Sequence, residues 1–218
     1  MGRPREHDDD TRLALLDEAA RIIDTEGIAG VTARRLAAAN NVSTRAIYSL
    51  FGGMDGVLTE LFRLGATEMV DRHFAVPTCE DAATEILPLA LAYRAGARAR
   101  PEVYSLIYER CAPNFRAPEE LVALLWRCND RIGDAVTRAL AQREITDRDP
   151  AQVTRQLWAT VHGHAALELR GFLGPPAVAE QVWRATITSL VADTFATTHP
   201  VAASAPAAMG GMPSTRRP

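Results

Sequence analysis

The sequence contains no lysine, little cysteine, few aromatic residues and no long hydrophobic run. No apolar stretch approaches the roughly 18 residues that a membrane-spanning helix needs, which argues against an integral membrane protein. The start of the sequence, Met1–Arg5, has no apolar core of the signal-peptide kind. The cysteines Cys79, Cys111 and Cys128 are too few and too scattered for a disulfide framework or a zinc knuckle. We therefore expect a cytoplasmic protein that has no membrane partner.

Charge is distributed unevenly along the chain, although the net charge is only -3. Residues 1–26 contain four arginines and eight acidic residues, whereas residues 27–54 contain Arg34, Arg35 and Arg45 and no acidic residue. The small net charge argues against a general nucleic-acid coat protein. The acid-free stretch can nevertheless contact phosphate groups.

The residue pattern predicts an all-α protein. Ala and Leu dominate, and no alternation of period two persists for the length of a strand. We predict a flexible polar arm over residues 1–10, a three-helix unit over 11–56, a larger helical domain over 57–197 and a disordered tail over 198–218.

Capping residues and prolines predict where individual helices begin and end. A first helix is expected from Asp10 or Thr11 to Glu26, and Gly27 ends it. Shorter helices are expected to begin near Thr32 and Ser43. The remaining helices are predicted over 54–73, 80–99 (interrupted or kinked at Pro88), 101–111, 119–144, 149–173 and 177–197.

The stretch 31–51 has the pattern of a helix, a tight turn and a second helix. Asn41 tolerates the left-handed backbone conformation that such a turn requires. Val42 is expected to fill the angle between the helices, and Ser43 is expected to cap the second helix. Ile47 and Phe51, four residues apart, are expected to anchor that helix to the core. This is the pattern of a helix-turn-helix DNA-binding domain.

The outer face of the second helix has side chains that suit the major groove of DNA. Its small residues permit close approach, Arg45 can reach guanine O6 and N7, and its hydroxyl groups can contact phosphate. Thr32 and the amides that follow it can bind a further phosphate. The candidate DNA-binding residues are Thr32, Arg34, Ser43, Thr44, Arg45, Ala46, Tyr48, Ser49 and Gly53.

Two alternatives remain open for this region. Short helix pairs occur in many folds, so the motif can be an ordinary packing element. The Arg/Pro-bearing start, Gly2–Arg5, can lie along a minor groove or be a solvated terminus.

The N-terminal residues resemble those of the tetracycline-repressor (TetR) family of bacterial transcriptional regulators. The resemblance covers residues 12–62 and is carried by Leu15-Leu16, Ala19-Ala20, Ile22-Ile23, Glu26-Gly27, Thr32, Val42-Ser43, Ile47-Tyr48 and Phe51. It implies that the helix starting at Ser43 enters the major groove and that the protein binds operator DNA as a dimer. The family usually has a lysine shortly after the phenylalanine, but Met54 follows Gly52-Gly53 here. We expect the backbone N–H groups of Gly52 and Gly53 to contact the phosphate instead.

The C-terminal half resembles the Trp…His-Gly (WHG) subgroup of that family. The resemblance is carried by Trp158-Ala159-Thr160-Val161-His162-Gly163, by Ala165, Leu167, Glu168 and Leu169, and by Tyr93 and Pro101–Tyr108. It does not identify a ligand.

Aromatic residues with polar tips are concentrated in the larger domain. Trp158 and His162, like Tyr104 and Tyr108, are four residues apart and share a helical face. A mostly apolar pocket with a few orienting hydrogen bonds uses such residues, although ordinary core packing uses them too. The candidate ligand-binding residues are Tyr104, Tyr108, Phe115, Trp126, Trp158 and His162.

We expect neither a metal, a cofactor nor an enzymatic activity. Cys128, His162, His164 and Glu168 include types that bind metals, but His162 and His164 point about 200° apart on a helix. The sequence has no nucleophile elbow, phosphate loop or pair of catalytic carboxylates. A thiol-based sensor using Cys111 or Cys128 is a weaker hypothesis, because neither has an evident thiolate-stabilising setting.

The segment 149–197 is predicted to form a homodimer. Its apolar stripes could pair with a second copy as a four-helix interface or pack within one chain. The stripes are Leu157, Val161 and Ala165 on one helix and Val182, Ile187, Leu190 and Val191 on the other.

The sequence therefore predicts a ligand-responsive repressor. It would bind a palindromic double-stranded DNA operator as a homodimer, and a small apolar or aromatic effector would release it. The alternative is an all-helical small-molecule-binding protein without a DNA role.

Overall fold

Nine α-helices and two short 3-10 turns form the part of the protein that the computed structural model describes, residues 5–108 and 115–196. No strand occurs within these two ranges, which confirms the all-α prediction. The helices are α1 (Arg5–Glu26), α2 (Ala33–Ala39), α3 (Thr44–Phe51), α4 (Met54–Phe74), α5 (Ile86–Ala99), α6 (Pro101–Tyr108), α7 (Glu119–Gln142), α8 (Pro150–Leu169) and α9 (Pro176–Thr194).

Helix α1 begins earlier than the sequence pattern predicts. It starts at Arg5, so the prediction of a flexible arm is wrong for residues 5–10. Asp8 lies in the first turn, where the helix dipole favours its carboxylate, and Asp9 and Asp10 follow in the second turn. Residues 1–4 of the predicted arm and the tail 198–218 lie outside the described residues.

Helices α1 to α3 pack around the first part of α4 and form one hydrophobic core, to which α6 and α7 add Leu106 and Leu121. Its fully buried side chains include Leu15, Ile22, Leu36, Ile47 and Leu61. The predicted domain boundary between residues 56 and 57 lies inside α4, which continues without a break into the second domain. This single helix therefore belongs to both domains.

The second core lies among α4, α5, α7, α8 and α9. Tyr93, Val136, Val161 and Trp183 are buried in it. The segment predicted over 80–99 is interrupted and not kinked: a 3-10 turn over Ala82–Glu85 precedes α5, which begins at Ile86. Pro88 therefore lies in the first turn of α5, where an N–H group has no helical partner.

A buried ion-pair cluster joins three of these helices. The Arg94 guanidinium of α5 donates two hydrogen bonds of 2.8 Å to the Glu168 carboxylate of α8. It also donates to Glu180 of α9 at 3.1 Å. These bonds fix α8 and α9 against the body of the domain.

The ends of the later helices differ by a few residues from the predicted ones. Helix α8 ends at Leu169 instead of residue 173, because Gly171 and Gly174 adopt positive φ angles of 78° and 76°. The predicted residues 109–111 of α6 lie outside the described ranges. Within the described part, no helix is both long and apolar enough to cross a membrane.

Candidate functional site

The turn between α2 and α3 has the geometry that the sequence predicts. Asn41 lies in the left-handed region with φ 53°. The Val42 N–H donates to the Ala37 carbonyl at 3.0 Å, and the Val42 side chain is half-buried against the first core. Ser43 occupies the N-cap position of α3, but its side chain makes no capping hydrogen bond. The capping role predicted for Ser43 is therefore wrong in this structure.

Helix α3 presents one face to the core and the opposite face to solvent. Ile47 is fully buried, and Phe51 is half-buried beside it. Thr44, Arg45 and Ser49 are exposed, and Tyr48 is 61% exposed. The α3 side chains predicted to contact DNA are thus exposed on one side of that helix, and Ala46 is half-buried among them.

Two of the three arginines in the acid-free stretch are available to a ligand. Arg34 and Arg45 are exposed and make no hydrogen bond or ion pair within the described residues. Arg35 differs, because it forms a two-pronged ion pair with Glu26 at the end of α1. That bond lowers the pKa of the Glu26 carboxyl and raises the pKa of the guanidinium.

The start of α2 and the glycines that follow α3 differ in whether their groups are accessible to a phosphate. Thr32 is exposed at the start of α2 and accepts a hydrogen bond from the Arg35 N–H at 3.3 Å. The Gly52 N–H already donates to the Tyr48 carbonyl at 3.0 Å. Gly53 is buried next to the Tyr48 ring. The N–H group of Gly52 is therefore already used inside the chain, and the phosphate contact of Gly53 stays a prediction.

Arg12 of α1 contacts both α3 and α4. Arg12 donates to the Leu50 carbonyl at 2.6 Å and forms an ion pair with Glu60 at 3.2 Å. Its guanidinium also lies 4.7 Å from the centre of the Phe51 ring. The orientation of α3 thus depends directly on α4.

A cavity of about 620 Å³ lies in the larger domain, between α4, α5, α6, α7 and α8. Four of the six predicted ligand-binding residues line it: Tyr108, Phe115, Trp126 and Trp158. Its size and mainly apolar walls suit a small-molecule ligand. Sequence reasoning missed the further lining residues, which include Phe62, Met69, Tyr93, Leu125, Asn129 and Ile132.

The other two predicted ligand-binding residues, Tyr104 and His162, lie behind the cavity wall. Their Oη and Nδ1 atoms are 2.8 Å apart, and the Tyr93 hydroxyl lies 3.1 Å from the same Nδ1. The imidazole stacks on Trp158, with ring centroids 5.2 Å apart and planes 9° apart. This polar cluster holds the aromatic wall in place.

The buried tyrosines and the buried cysteine of the wall are uncharged at neutral pH. Burial raises the pKa values of Tyr93 and Tyr108. It also raises the pKa of the Cys128 thiol to about 12. A thiol protonated at neutral pH is a poor nucleophile, which argues against the thiol-sensor hypothesis for Cys128; Cys111 lies outside the described residues.

The residues considered as metal ligands have other neighbours. The His164 Nδ1–H donates to the Thr160 carbonyl at 2.9 Å, and the ring lies against Trp183. Glu168 is paired with Arg94. Among the residues that the structure places, no group of three or more His, Cys, Asp and Glu side chains could hold a metal ion.

The stripes predicted for a dimer interface are largely used inside the chain. Leu157, Val161, Ala165 and Ile187 are buried in the second core, as the alternative of intrachain packing predicted. Val182, Leu190 and Val191 are half-buried. Other apolar side chains around α8 and α9 remain exposed, namely Leu167, Phe172 and Val178.

Comparison with known proteins identifies both halves of the chain. Residues 15–61 match the family model described as bacterial regulatory proteins of the tetR family. Residues 86–190 match the model described as the tetracyclin repressor-like C-terminal domain. Together the two models cover more than half of the chain.

A curated relative and solved structures are also similar to this chain. The chain is 27% identical over 158 residues to the uncharacterized HTH-type transcriptional regulator YobS of Bacillus subtilis (strain 168), covering 72% of this chain and 78% of that protein. A solved structure of a protein of unknown function from Rhodococcus sp. RHA1 is 27% identical, with a TM-score of 0.70 and coverage of 84% of this chain and 94% of that one. The TetR family transcriptional regulator PfmR from Thermus thermophilus shares the fold at 20% identity, with a TM-score of 0.68 and coverage of 88% and 97%.

Members of this family are transcription regulators and not enzymes. The first matched model covers most of the helix-turn-helix unit, and the second covers most of the helical domain that contains the cavity. The chain belongs to the TetR family of transcriptional regulators, with an N-terminal DNA-binding domain and a C-terminal ligand-binding domain.

Proposed function

We propose that the protein is a repressor that binds a palindromic operator as a homodimer and is released by a small apolar or aromatic effector. The observation that carries the proposal is the outer face of α3, where Thr44, Arg45, Tyr48 and Ser49 are exposed together. A helix that is anchored on one side and polar on the other can enter a major groove.

The proposed DNA contacts divide into two kinds. Arg45 reads a guanine, while Ala46 allows the helix to approach the base edges closely. Thr32, Arg34, Ser43, Thr44, Tyr48 and Ser49 contact the phosphate backbone and fix the register of α3. Gly53 is proposed to join this set through its backbone N–H group at the start of α4.

We propose that α4 transmits the conformational change caused by effector binding to the DNA-binding domain. Phe62 and Met69 line the cavity, and Phe62 also belongs to the first core with Leu58 and Leu61. An effector that displaces these side chains tilts α4, and the Arg12–Glu60 pair carries the tilt to α3. A coupling of about 1–3 kcal/mol would change operator affinity about 5–150-fold.

The homodimer is proposed to form through residues 149–197. Exposed apolar side chains support this, because Leu167, Phe172 and Val178 are 45%, 74% and 46% exposed. A two-fold dimer would place its two α3 helices in successive half-sites, about one helical turn apart.

A gel-shift experiment tests the proposal. Full-length protein is titrated onto the DNA upstream of its own gene and onto a scrambled fragment of equal length, at fixed salt. A retarded band specific to the upstream fragment, mapping to an inverted repeat, is the expected result. Equal binding to both fragments, or none, would contradict it and favour a small-molecule-binding protein without a DNA role.

A further inference from the structure

The cavity wall contains almost no charge. Among the described lining residues Arg116 alone is charged, and it is an exposed residue. No Asp or Glu side chain belongs to the described lining. A cation that entered would lose its hydration without meeting a counter-charge, which is costly in an apolar environment. The aromatic faces of the lining would return about 2 kcal/mol through cation–π contacts, which is less than that cost.

The polar groups of the wall are neutral as well. Tyr93, Tyr108 and Cys128 keep their protons at neutral pH, because phenols and thiols ordinarily titrate above it and burial raises their pKa values further. They therefore offer no anionic partner to a bound molecule.

One polar side chain of the lining has an unused hydrogen-bonding atom. Asn129 of α7 lines the cavity, and its buried Oδ1 has no hydrogen-bond partner within the described residues. A buried acceptor without a donor is destabilising, so a ligand that supplies an N–H or O–H group would relieve that cost. Trp126 and Trp158 lie on the same cavity, with ring centroids 6.5 Å apart and planes 32° apart. Flat aromatic molecules pack well against such rings.

We propose that the effector is an uncharged aromatic molecule with a hydrogen-bond donor, that Asn129 receives this donor, and that the cavity excludes cations. The inference rests on the proposed function only in naming the bound molecule an effector. The selectivity itself is a property of the cavity and is measured without DNA.

A matched series of fluorescent probes tests the selectivity on the full-length protein. N-phenyl-1-naphthylamine is neutral and has one N–H donor; its N-methyl derivative lacks the donor, and a derivative with a trimethylammonium substituent carries a positive charge. We expect the N–H probe to bind, the N-methyl probe to bind about tenfold more weakly and the cationic probe at least about 100-fold more weakly.

Two substitutions test whether the residues of the cavity wall cause this selectivity among the probes. Asn129→Leu should weaken the N–H probe to the level of the N-methyl probe and leave the latter unchanged. Val122 lines the cavity and is 40% exposed, so Val122→Asp adds a carboxylate that stays hydrated. It should strengthen binding of the cationic probe at least about tenfold and leave the neutral probes unaffected.

Several outcomes would overturn the inference. These are equal affinity of wild type for the N–H and N-methyl probes, cationic binding as tight as neutral binding, or no binding of any probe. If Asn129→Leu fails to fold, the wild-type probe series still tests the preference for a hydrogen-bond donor, and Val122→Asp still tests the exclusion of cations. If the protein shows the expected probe selectivity but retards no DNA, only the regulator proposal is contradicted. If it retards its upstream DNA but lacks the probe selectivity, only the cavity inference is contradicted.

Discussion

Arg12 of α1 and Glu60 of α4 form an ion pair of 3.2 Å, and the same guanidinium donates to the Leu50 carbonyl of α3 at 2.6 Å. Three helices of the DNA-binding domain thus meet at one side chain. Arg12 and Glu60 are 33% and 26% exposed, so solvent weakens the pair itself. The hydrogen bond to Leu50 and the contact with Phe51 add to what Arg12 contributes.

Replacing the two partners should therefore have unequal effects. We expect Arg12→Ala to lower the free energy of unfolding by about 1–2 kcal/mol, because it removes the bond to Leu50 together with the ion pair. Glu60→Ala should cost less than about 1 kcal/mol. Urea unfolding of both variants measures the difference, and equal losses would show that the ion pair is the dominant contribution.

The helix-turn-helix motif was predictable because its determinants are local. Asn41 and Ile47 have their roles through backbone conformation and helical spacing, and both can be identified within a window of about twenty residues. The exposed face of α3 follows from the same spacing.

The remaining features depend on residues that are distant in sequence. Arg35 is neutralised by Glu26, so the acid-free stretch offers fewer free cations than its composition suggests. Phe62 and Met69 line the cavity from α4, which the sequence pattern assigned to no ligand. Leu157 and Ile187 face the core of their own chain, and a stripe alone does not say which surface covers it.

The contact between α4 and α6 leaves no room for a side chain at Gly65. A Cβ atom there would lie 2.2 Å from Cγ1 and 3.0 Å from Cβ of Val103, which is itself buried. Gly65→Ala should lower the free energy of unfolding by about 1–3 kcal/mol. Gly133→Ala on α7 is the matched control, because its added Cβ atom would lie 3.6 Å from Thr154 Oγ1, an ordinary contact, and outside the proposed dimer interface. A helical alanine there should stabilise the protein by about 0.5–1 kcal/mol. Thermal melts compare the two variants, and a loss at Gly133 equal to that at Gly65 would contradict the packing argument.

We expect Glu85 to make the free energy of unfolding depend on pH. It is fully buried and pairs with Arg131 at 2.8 Å and with Arg138 at 2.9 Å. Burial raises the pKa of Glu85, but the Cys79 N–H and the two arginines outweigh that effect and hold the pKa below its usual value. Because the folded-state pKa is depressed, the stabilisation is present above the unfolded-state pKa and is lost as the pH falls through the folded-state value.

Glu85→Gln removes this contribution and leaves Arg131 without its counter-charge. We expect a loss of about 3 kcal/mol at pH 7 and a shallower decline of stability with acid than in wild type. Urea unfolding between pH 7 and pH 3 measures both effects. Glu26→Gln, at an exposed ion pair, is the control and should change stability far less. Parallel pH profiles for wild type and Glu85→Gln would contradict the assignment.

The proposed dimer surface can be tested at Leu167, which is 45% exposed on α8. Leu167→Glu places a charge in the proposed interface and should shift the protein from dimer to monomer, because an unpaired charge there would be buried on association. Leu13→Glu changes a similarly exposed leucine of α1 and should leave the dimer intact. Sedimentation velocity measures both. A dimer that persists in Leu167→Glu, or a wild-type monomer, would place the interface elsewhere or remove it.

The most direct measurement concerns Arg45 on the outer face of α3. Operator affinity is determined by fluorescence anisotropy at fixed salt for wild type, Arg45→Ala and Arg21→Ala; Arg21 is also exposed, but it is bound to Glu18 at 2.6 Å. We predict that Arg45→Ala weakens binding by about 1–3 kcal/mol without changing the melting temperature, whereas Arg21→Ala leaves the affinity nearly unchanged. Wild-type affinity in Arg45→Ala would contradict the claim that this face of α3 binds DNA.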